Sequence, residues 1–318
     1  MDTHAAPSDL RLVFMGTPDF AVPSLDALVE AGYRPAAVVT VPDRPKGRGQ
    51  TLQASAVKEA AASHDLWVLQ PERLDDPDFI TELKDLEPEV IAVVAFRILP
   101  PEVYSLATKG AFNLHASLLP QYRGAAPINR AVMAGEIETG VTTFLLEPTV
   151  DTGDVILMRR LGIGADETAG ELHDRLAELG AEVVVETVQH LEAGTAEVRA
   201  QDGSRASRAP KLFKEDAEID WARPAEEVHN HVRGLSPYPA AWTTHEGTLL
   251  KVYRTELTRG SGEPGEVIEA TGSELVVACG KRAVALLELQ REGKARMTAE
   301  EFLNGYTFEP GDRLGNAE

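Results

Sequence analysis

The stretch Phe112-Asn113-Leu114-His115-Ala116-Ser117-Leu118-Leu119-Pro120 turns an apolar run into polar chemistry, and the acidic motif Asp151-Thr152-Gly153-Asp154 follows downstream. Asn, His and Asp are residue types that an acyl transfer to an amine can use. The Asn113 amide can donate a hydrogen bond to a developing oxyanion. An imidazole titrates near neutral pH, so His115 can shuttle a proton or meet that oxyanion as imidazolium. The Asp151 carboxylate can orient and charge-balance the ring. Taken singly, each residue has a plainer reading. His115 alone is a hydrogen-bonded structural histidine, Asp-Thr-Gly alone is turn chemistry, and residues 117–120 alone shape a turn. Their order along the chain makes Asn113, His115 and Asp151 the catalytic candidates.

The surrounding pattern shows what positions them. Residues 11–15 read as a short apolar strand closed by Gly16-Thr17-Pro18. A helix follows with Phe20, Val22, Leu25, Leu28 and Val29 on one face and Gly32 at its end. Strands are predicted over residues 36–41, 67–69, 90–95 and 111–114, with helices over 55–62 and 79–86. A later strand pair, 140–146 and 155–161, flanks Asp151, and residues 171–191 form a long amphipathic helix. This alternation predicts a doubly wound, mostly parallel sheet. The strand over 111–114 delivers Asn113 and His115 to its C-terminal end, where such sheets place their ligands. No Gly-x-Gly-x-x-Gly follows the first strand, which argues against a dinucleotide site. Residues 193–213 lose apolar periodicity and read as a linker between a first domain, 1–192, and a second, 214–318. The second opens with a helix over 225–235. It continues in short strands at 249–253, 265–268, 274–278 and 283–289, as a small β-barrel would.

Composition narrows the class. The 318 residues are 43% hydrophobic, enough for an ordinary core in two domains. No apolar run reaches the ~18 residues of a membrane span. Met1-Asp2-Thr3-His4-Ala5 lacks the basic and apolar regions of a signal peptide, so a cytoplasmic location is expected. The single cysteine, Cys279, excludes an intramolecular disulfide and a multi-cysteine metal centre, and its neighbours predict a buried thiol. No cluster of ligating residues suggests a metal. The net charge of −20 sets 51 Asp and Glu against 22 Arg and only 9 Lys. That is poor material for phosphate binding in general, although local basic patches can sit on an acidic body. Such an excess of carboxylates suits a salty cytoplasm, and it suits equally an ordinary acidic enzyme.

The order Asn-x-His-x-Ser-Leu-Leu-Pro with a distant Asp-x-Gly resembles the folate-dependent formyltransferases. Further stretches are similar to the branch of that family acting on charged tRNA. They are Phe14-Met15-Gly16-Thr17-Pro18-Asp19-Phe20, Pro42-Asp43-Arg44-Pro45-Lys46-Gly47-Arg48-Gly49, Tyr122-Arg123-Gly124-Ala125-Ala126-Pro127-Ile128, Lys211-Leu212-Phe213-Lys214-Glu215-Asp216 and Ile219-Asp220-Trp221. The resemblance runs from Arg11 to Leu314. It implies a Rossmann-like formyltransferase domain followed by a smaller C-terminal β-barrel of oligonucleotide-binding type. It implies 10-formyltetrahydrofolate as donor and no metal, with Ser117, Leu118, Leu119 and Pro120 walling the folate pocket. The implied acceptor is the α-amine of initiator methionyl-tRNA, met by Arg44, Lys46 and Arg48 in the loop after the second strand and by Lys211 and Lys214. A monomer is expected. One departure stands out: residues 94–100 are shorter than the family's usual turn and carry Arg97 where Gly is common.

Overall fold

A computed structural model describes residues 8–46, 51–309 and 311–315. The first part of the chain runs β1 (Leu12–Gly16), α1 (Val22–Glu30), β2 (Ala37–Val39), β3 (Arg44–Lys46), β4 (Thr51–Gln53), α2 (Ala56–Ser63), β5 (Val68–Leu69), α3 (Pro77–Asp85), β6 (Val90–Val94), α4 (Pro101–Tyr104), β7 (Gly110–His115), α5 (Pro127–Met133), β8 (Glu138–Leu145), β9 (Val155–Gly162) and α6 (Ala169–Ala193). Seven strands form one sheet in the order β5-β2-β1-β6-β7-β8-β9. β5, β2, β1, β6 and β7 pair in parallel, and β8 pairs antiparallel with β7. Strand order reverses between β1 and β6, the kind of switch point beside which α/β sheets bind ligands.

Local chemistry explains these elements. β1 and β6 are continuous apolar runs, buried along their whole length as central parallel strands must be. α2 starts where the Ser55 hydroxyl accepts the Lys58 N–H, and α3 where the Asp76 carboxylate accepts the Asp78 N–H with Pro77 at the first helical position. Val13, Met15, Val39, Leu83, Ile91 and Val93 belong to one core cluster of this sheet. Part of the loop expected after the second strand is itself a strand. β3 and β4 pair antiparallel, joining Arg44 to Gln53 and Lys46 to Thr51, while residues 47–50 lie outside the described residues. The Thr51-Leu52-Gln53 strand is too short to stand out against a Pro- and Gly-rich background.

Two compact units emerge: residues 1–124, 139–161 and 173–208 in one, and residues 125–138, 162–172 and 209–318 in the other. The second holds α5, α7 (Ala225–Leu235), β10 (Ala241–His245), β11 (Thr248–Thr258), β12 (Val267–Thr271), β13 (Glu274–Ala278), β14 (Ala283–Arg291), β15 (Met297–Thr298) and α8 (Ala299–Leu303). Its sheet is antiparallel, ordered β10-β11-β14-β13-β12, with β15 on β14. A register shift between Val252 and Thr255 bends β11. The chain's last described residues bridge the two sheet edges. Val267 N–H donates to Asp312 O at 2.8 Å, Leu314 N–H to Gly265 O at 2.8 Å, and Gly315 N–H to Thr244 O at 2.8 Å. The core carries Trp221, Val228, Val232, Leu235, Leu250, Leu275 and Leu286, and the Trp221 indole N–H donates to the Thr243 hydroxyl. Cys279 lies buried just beyond β13, where burial pushes its thiol pKa up to about 12.

Candidate functional site

Asn113 and His115 stand two residues apart at the C-terminal end of β7, so the strand's pleat sends both side chains to the same face. The Asn113 amide makes no hydrogen bond among the described residues and is only half-buried. It is a donor free to act. His115 is 6% exposed and is held from two sides. Its Nε2 lies 2.9 Å from the Tyr122 carbonyl. A carbonyl only accepts, so that contact fixes the ring proton on Nε2. Nδ1 then carries the lone pair, and it faces Asp151 Oδ2 at 3.8 Å. That separation is too long for a direct hydrogen bond and short enough for ion pairing once Nδ1 takes a proton.

The Asp151 carboxylate is in turn fixed by the backbone, because Oδ2 accepts the Gly124 N–H at 2.8 Å. Tyr122 and Asp151 both have φ 57, in the left-handed region that costs a non-glycine residue about 1–3 kcal/mol. Both residues that bracket the imidazole thus hold left-handed backbone. Gly153 is required for space, since a Cβ there would lie 1.8 Å from the Leu145 carbonyl oxygen.

Ser117, Leu118, Leu119 and Pro120 follow β7 directly. Ser117 is fully buried, and its hydroxyl donates to Gln121 O at 2.6 Å. From β8, the Thr142 hydroxyl donates to Ser117 O at 2.7 Å and accepts the Leu119 N–H at 3.2 Å. Leu118 and Pro120 are half-buried and present the apolar surface of this turn. Arg97 reaches back along the loop after β5. Its guanidinium donates to Glu72 O and Pro71 O at 2.9 Å each and lies 5.1 Å above the Phe96 ring. Burial first, and the charge of Arg44 next, hold its pKa below the ordinary arginine value.

Of the candidate tRNA contacts, Arg44 is exposed on β3, the backbone of Lys46 ends that strand, and Arg48 lies outside the described residues. Lys211 and Lys214 line a cavity of about 450 Å³ in the second unit, together with Phe213, Tyr238, Trp242 and Lys251. Lys211 Nζ stands 5.9 Å over Phe213, and Lys214 Nζ 5.6 Å over Trp242. Phe213 is 60% exposed and Tyr238 82%.

Sequence reasoning assigns no role to Tyr122, Gly124, Arg123 or Gln201, all of which join this site. Tyr122 and Gly124 act through backbone groups, which carry no letter in the sequence. The Arg123 guanidinium and the Gln201 amide bond each other at 2.7 Å across the stretch predicted as linker. The only available signal is that Tyr122-Arg123-Gly124 lies in a stretch shared with the family.

Comparison with known proteins identifies the family. Residues 10–188 match the family described as Formyl transferase, and residues 211–307 match its C-terminal domain. The Methionyl-tRNA formyltransferase of Geobacter sulfurreducens is 47% identical over 97% of this chain and 98% of its own length. That of Heliobacterium modesticaldum is 50% identical over 96% and 100%. Among solved structures, an N-formyltransferase from Helicobacter canadensis in complex with folinic acid and dTDP-3-aminofucose superposes with a TM-score of 0.66. It is 21% identical over 87% of this chain and 99% of that one, a likeness of fold alone. Matched in both halves and carried nearly end to end by its relatives, the chain belongs to the formyltransferase family, among the methionyl-tRNA formyltransferases.

Proposed function

We infer that this chain transfers the formyl group of 10-formyltetrahydrofolate to the α-amine of initiator methionyl-tRNA, acting as a monomer in the cytoplasm. The observation that carries the reading is near-full-length identity of 46–50% to relatives of that name, which spans both domains. No helix among the described residues is long and apolar enough to cross a membrane.

The donor supplies an activated formyl carbon. Around it the chain's residues divide the work. The free Asn113 amide hydrogen-bonds the oxygen on which charge develops. His115 accepts the proton of the attacking amine at Nδ1, beside the Asp151 carboxylate that stabilises the resulting imidazolium. The same proton then passes to N10 of the folate as the carbon–nitrogen bond to it breaks. One C–N bond forms and one breaks, and the proton lost by the amine is the one N10 gains. The fit to a folate rests on an unpartnered donor at the strand end and the apolar turn of Leu118 and Pro120 next to it.

Arg44, Lys46, Arg48, Lys211 and Lys214 are proposed as acceptor contacts. Lysines interleaved with the exposed rings of Phe213 and Tyr238 and the half-buried ring of Trp242 support this, since such surfaces bind phosphates and stack bases. The test is an acceptor panel with 10-formyltetrahydrofolate: charged initiator tRNA, charged elongator tRNA, glycinamide ribonucleotide and an amino-sugar nucleotide. Formylation of charged initiator tRNA above the other three is expected. Preferential formylation of either small acceptor would overturn the reading.

A further inference from the structure

Gln201 sits in the stretch between the long helix and the second domain, far in sequence from every catalytic candidate. Its side-chain amide nevertheless touches both segments that bracket the His115 ring. Nε2 donates to Asp151 O at 3.0 Å and to Gly153 O at 2.8 Å. Oε1 accepts from Arg123 Nη2 at 2.7 Å and from Nε at 3.2 Å. The orientation of the amide is forced. Turned over, it would set oxygen against two carbonyls and NH₂ against a guanidinium. One side of this amide therefore holds the loop whose carboxylate faces His115 Nδ1. The other holds the residue after Tyr122, whose carbonyl bonds His115 Nε2.

The backbone around Gln201 follows the same course. Val155 and Arg199 exchange hydrogen bonds of 2.8 and 2.9 Å just beyond the Asp151 loop. Ser207 accepts the Tyr122 N–H at its hydroxyl, at 2.8 Å, and the Arg123 N–H at its carbonyl, at 2.9 Å. Residues 199–207 thus run as a strap from one bracket of the imidazole to the other. The strap matters because Tyr122 and Asp151 both hold the left-handed backbone, a conformation that persists only where surroundings over-determine it. Displacements of about 1 Å at such a site can cost ~10²-fold in rate.

We propose that Gln201 is a positioning residue of the formyl-transfer site, tying the Asp151 loop to the Tyr122–Arg123 segment and so setting the His115–Asp151 distance. The proposal rests on the reading of His115 and Asp151 given above. It gives the supposed linker a part in the chemistry.

Two variants test it by steady-state kinetics with charged initiator tRNA, each at a temperature where it is fully folded. Gln201→Met keeps the length and removes all four bonds. Gln201→Glu keeps the acceptor for Arg123 but sets carboxylate oxygen against the two loop carbonyls. Both are expected to lose about tenfold or more in kcat, with KM for folate and tRNA changing far less. In an Asp151→Asn background, Gln201→Met is expected to cost less than twofold, because the partner it positions no longer acts. Three results would overturn the proposal. They are kcat within twofold of wild type in Gln201→Met while Asp151→Asn is impaired, full activity in Gln201→Glu, and the same loss from Gln201→Met in both backgrounds. Full turnover in Asp151→Asn alone would instead bring down the site assignment itself, and the proposal with it.

Discussion

Replacing Asn113 by Ala removes the free amide on β7, and replacing His115 or Asp151 by Ala removes the proposed proton carrier or its proposed counter-charge. Each variant is expected to lose about 10²-fold or more in turnover, the usual consequence of deleting an oxyanion donor or an acid–base group. Folding should survive in all three, since none belongs to the apolar core. Single-turnover rates and melting temperatures check this together, and near-wild-type turnover in any one removes that residue from the mechanism. At this scale the sequence is informative where chemistry resides in side chains. Asn113 and His115 stand out because the pleat of one strand pairs them, and Asp151 because an Asp-x-Gly follows at a distance. The sequence is silent where chemistry resides in the backbone. The Tyr122 carbonyl that fixes the His115 tautomer, and the Gly124 N–H that holds Asp151, are peptide groups every residue has. Ser117 shows the converse. The family resemblance implies a place for it at the folate, and the structure adds what no sequence pattern shows: its buried hydroxyl is engaged by Gln121 O.

Strongly periodic elements are legible, and short ones are not. The apolar spacing over 225–235 and 274–278 gives the bounds of α7 and β13 as they stand. The sequence gives no expectation for α5, seven residues of which Pro127 is the first, or for α8, five residues opened by the Thr298–Glu301 capping box. β10 escapes because only alternate residues of Ala241-Trp242-Thr243-Thr244-His245 are buried, and two of those are polar. Elements also bury groups whose titration then matters. His229 on α7 is buried, with Nδ1 2.9 Å from the Thr255 hydroxyl and Nε2 facing Ala165 O and Asp166, while Arg233 lies near it on the same helix. Burial, the largest cause, lowers its pKa below the ordinary 6.5. The unfolded chain then binds a proton that the folded chain refuses. Stability is accordingly full above the unfolded value and falls as pH drops through it, by up to about 1.4 kcal/mol per pH unit for one such group. Urea unfolding between pH 7.5 and 5.5 should show the loss, and His229→Asn should flatten it while lowering stability at pH 7.5. The same slope in wild type and variant would assign the loss to other groups.

For the molecule as a whole, the net charge of −20 confronts a polyanionic substrate. Two effects of salt oppose each other here. Contacts between a few Arg or Lys side chains and phosphates weaken as salt rises. Repulsion between the acidic body and the tRNA, and among the 51 carboxylates themselves, is screened by the same salt. The outcome depends on how many cations the acceptor surface holds. The structure ties several of the 31 Lys and Arg into ion pairs, such as Lys58 with Asp43, Arg130 with Asp216 and Arg282 with Glu226. Cations so engaged contribute little to phosphate binding. With five residues as the proposed contacts, relief of repulsion should dominate at the low end of the salt range and loss of contacts at the high end. The rate with charged initiator tRNA is therefore expected to rise with potassium chloride from low concentrations, pass a broad maximum and then fall. The melting temperature should climb over the same first interval, because screened self-repulsion favours the compact state. Initial rates and melting curves across one salt series decide the matter. A steady decline of both from the lowest concentration would mean that the acidic surface exerts no repulsion worth screening, and that the few cationic contacts govern binding throughout.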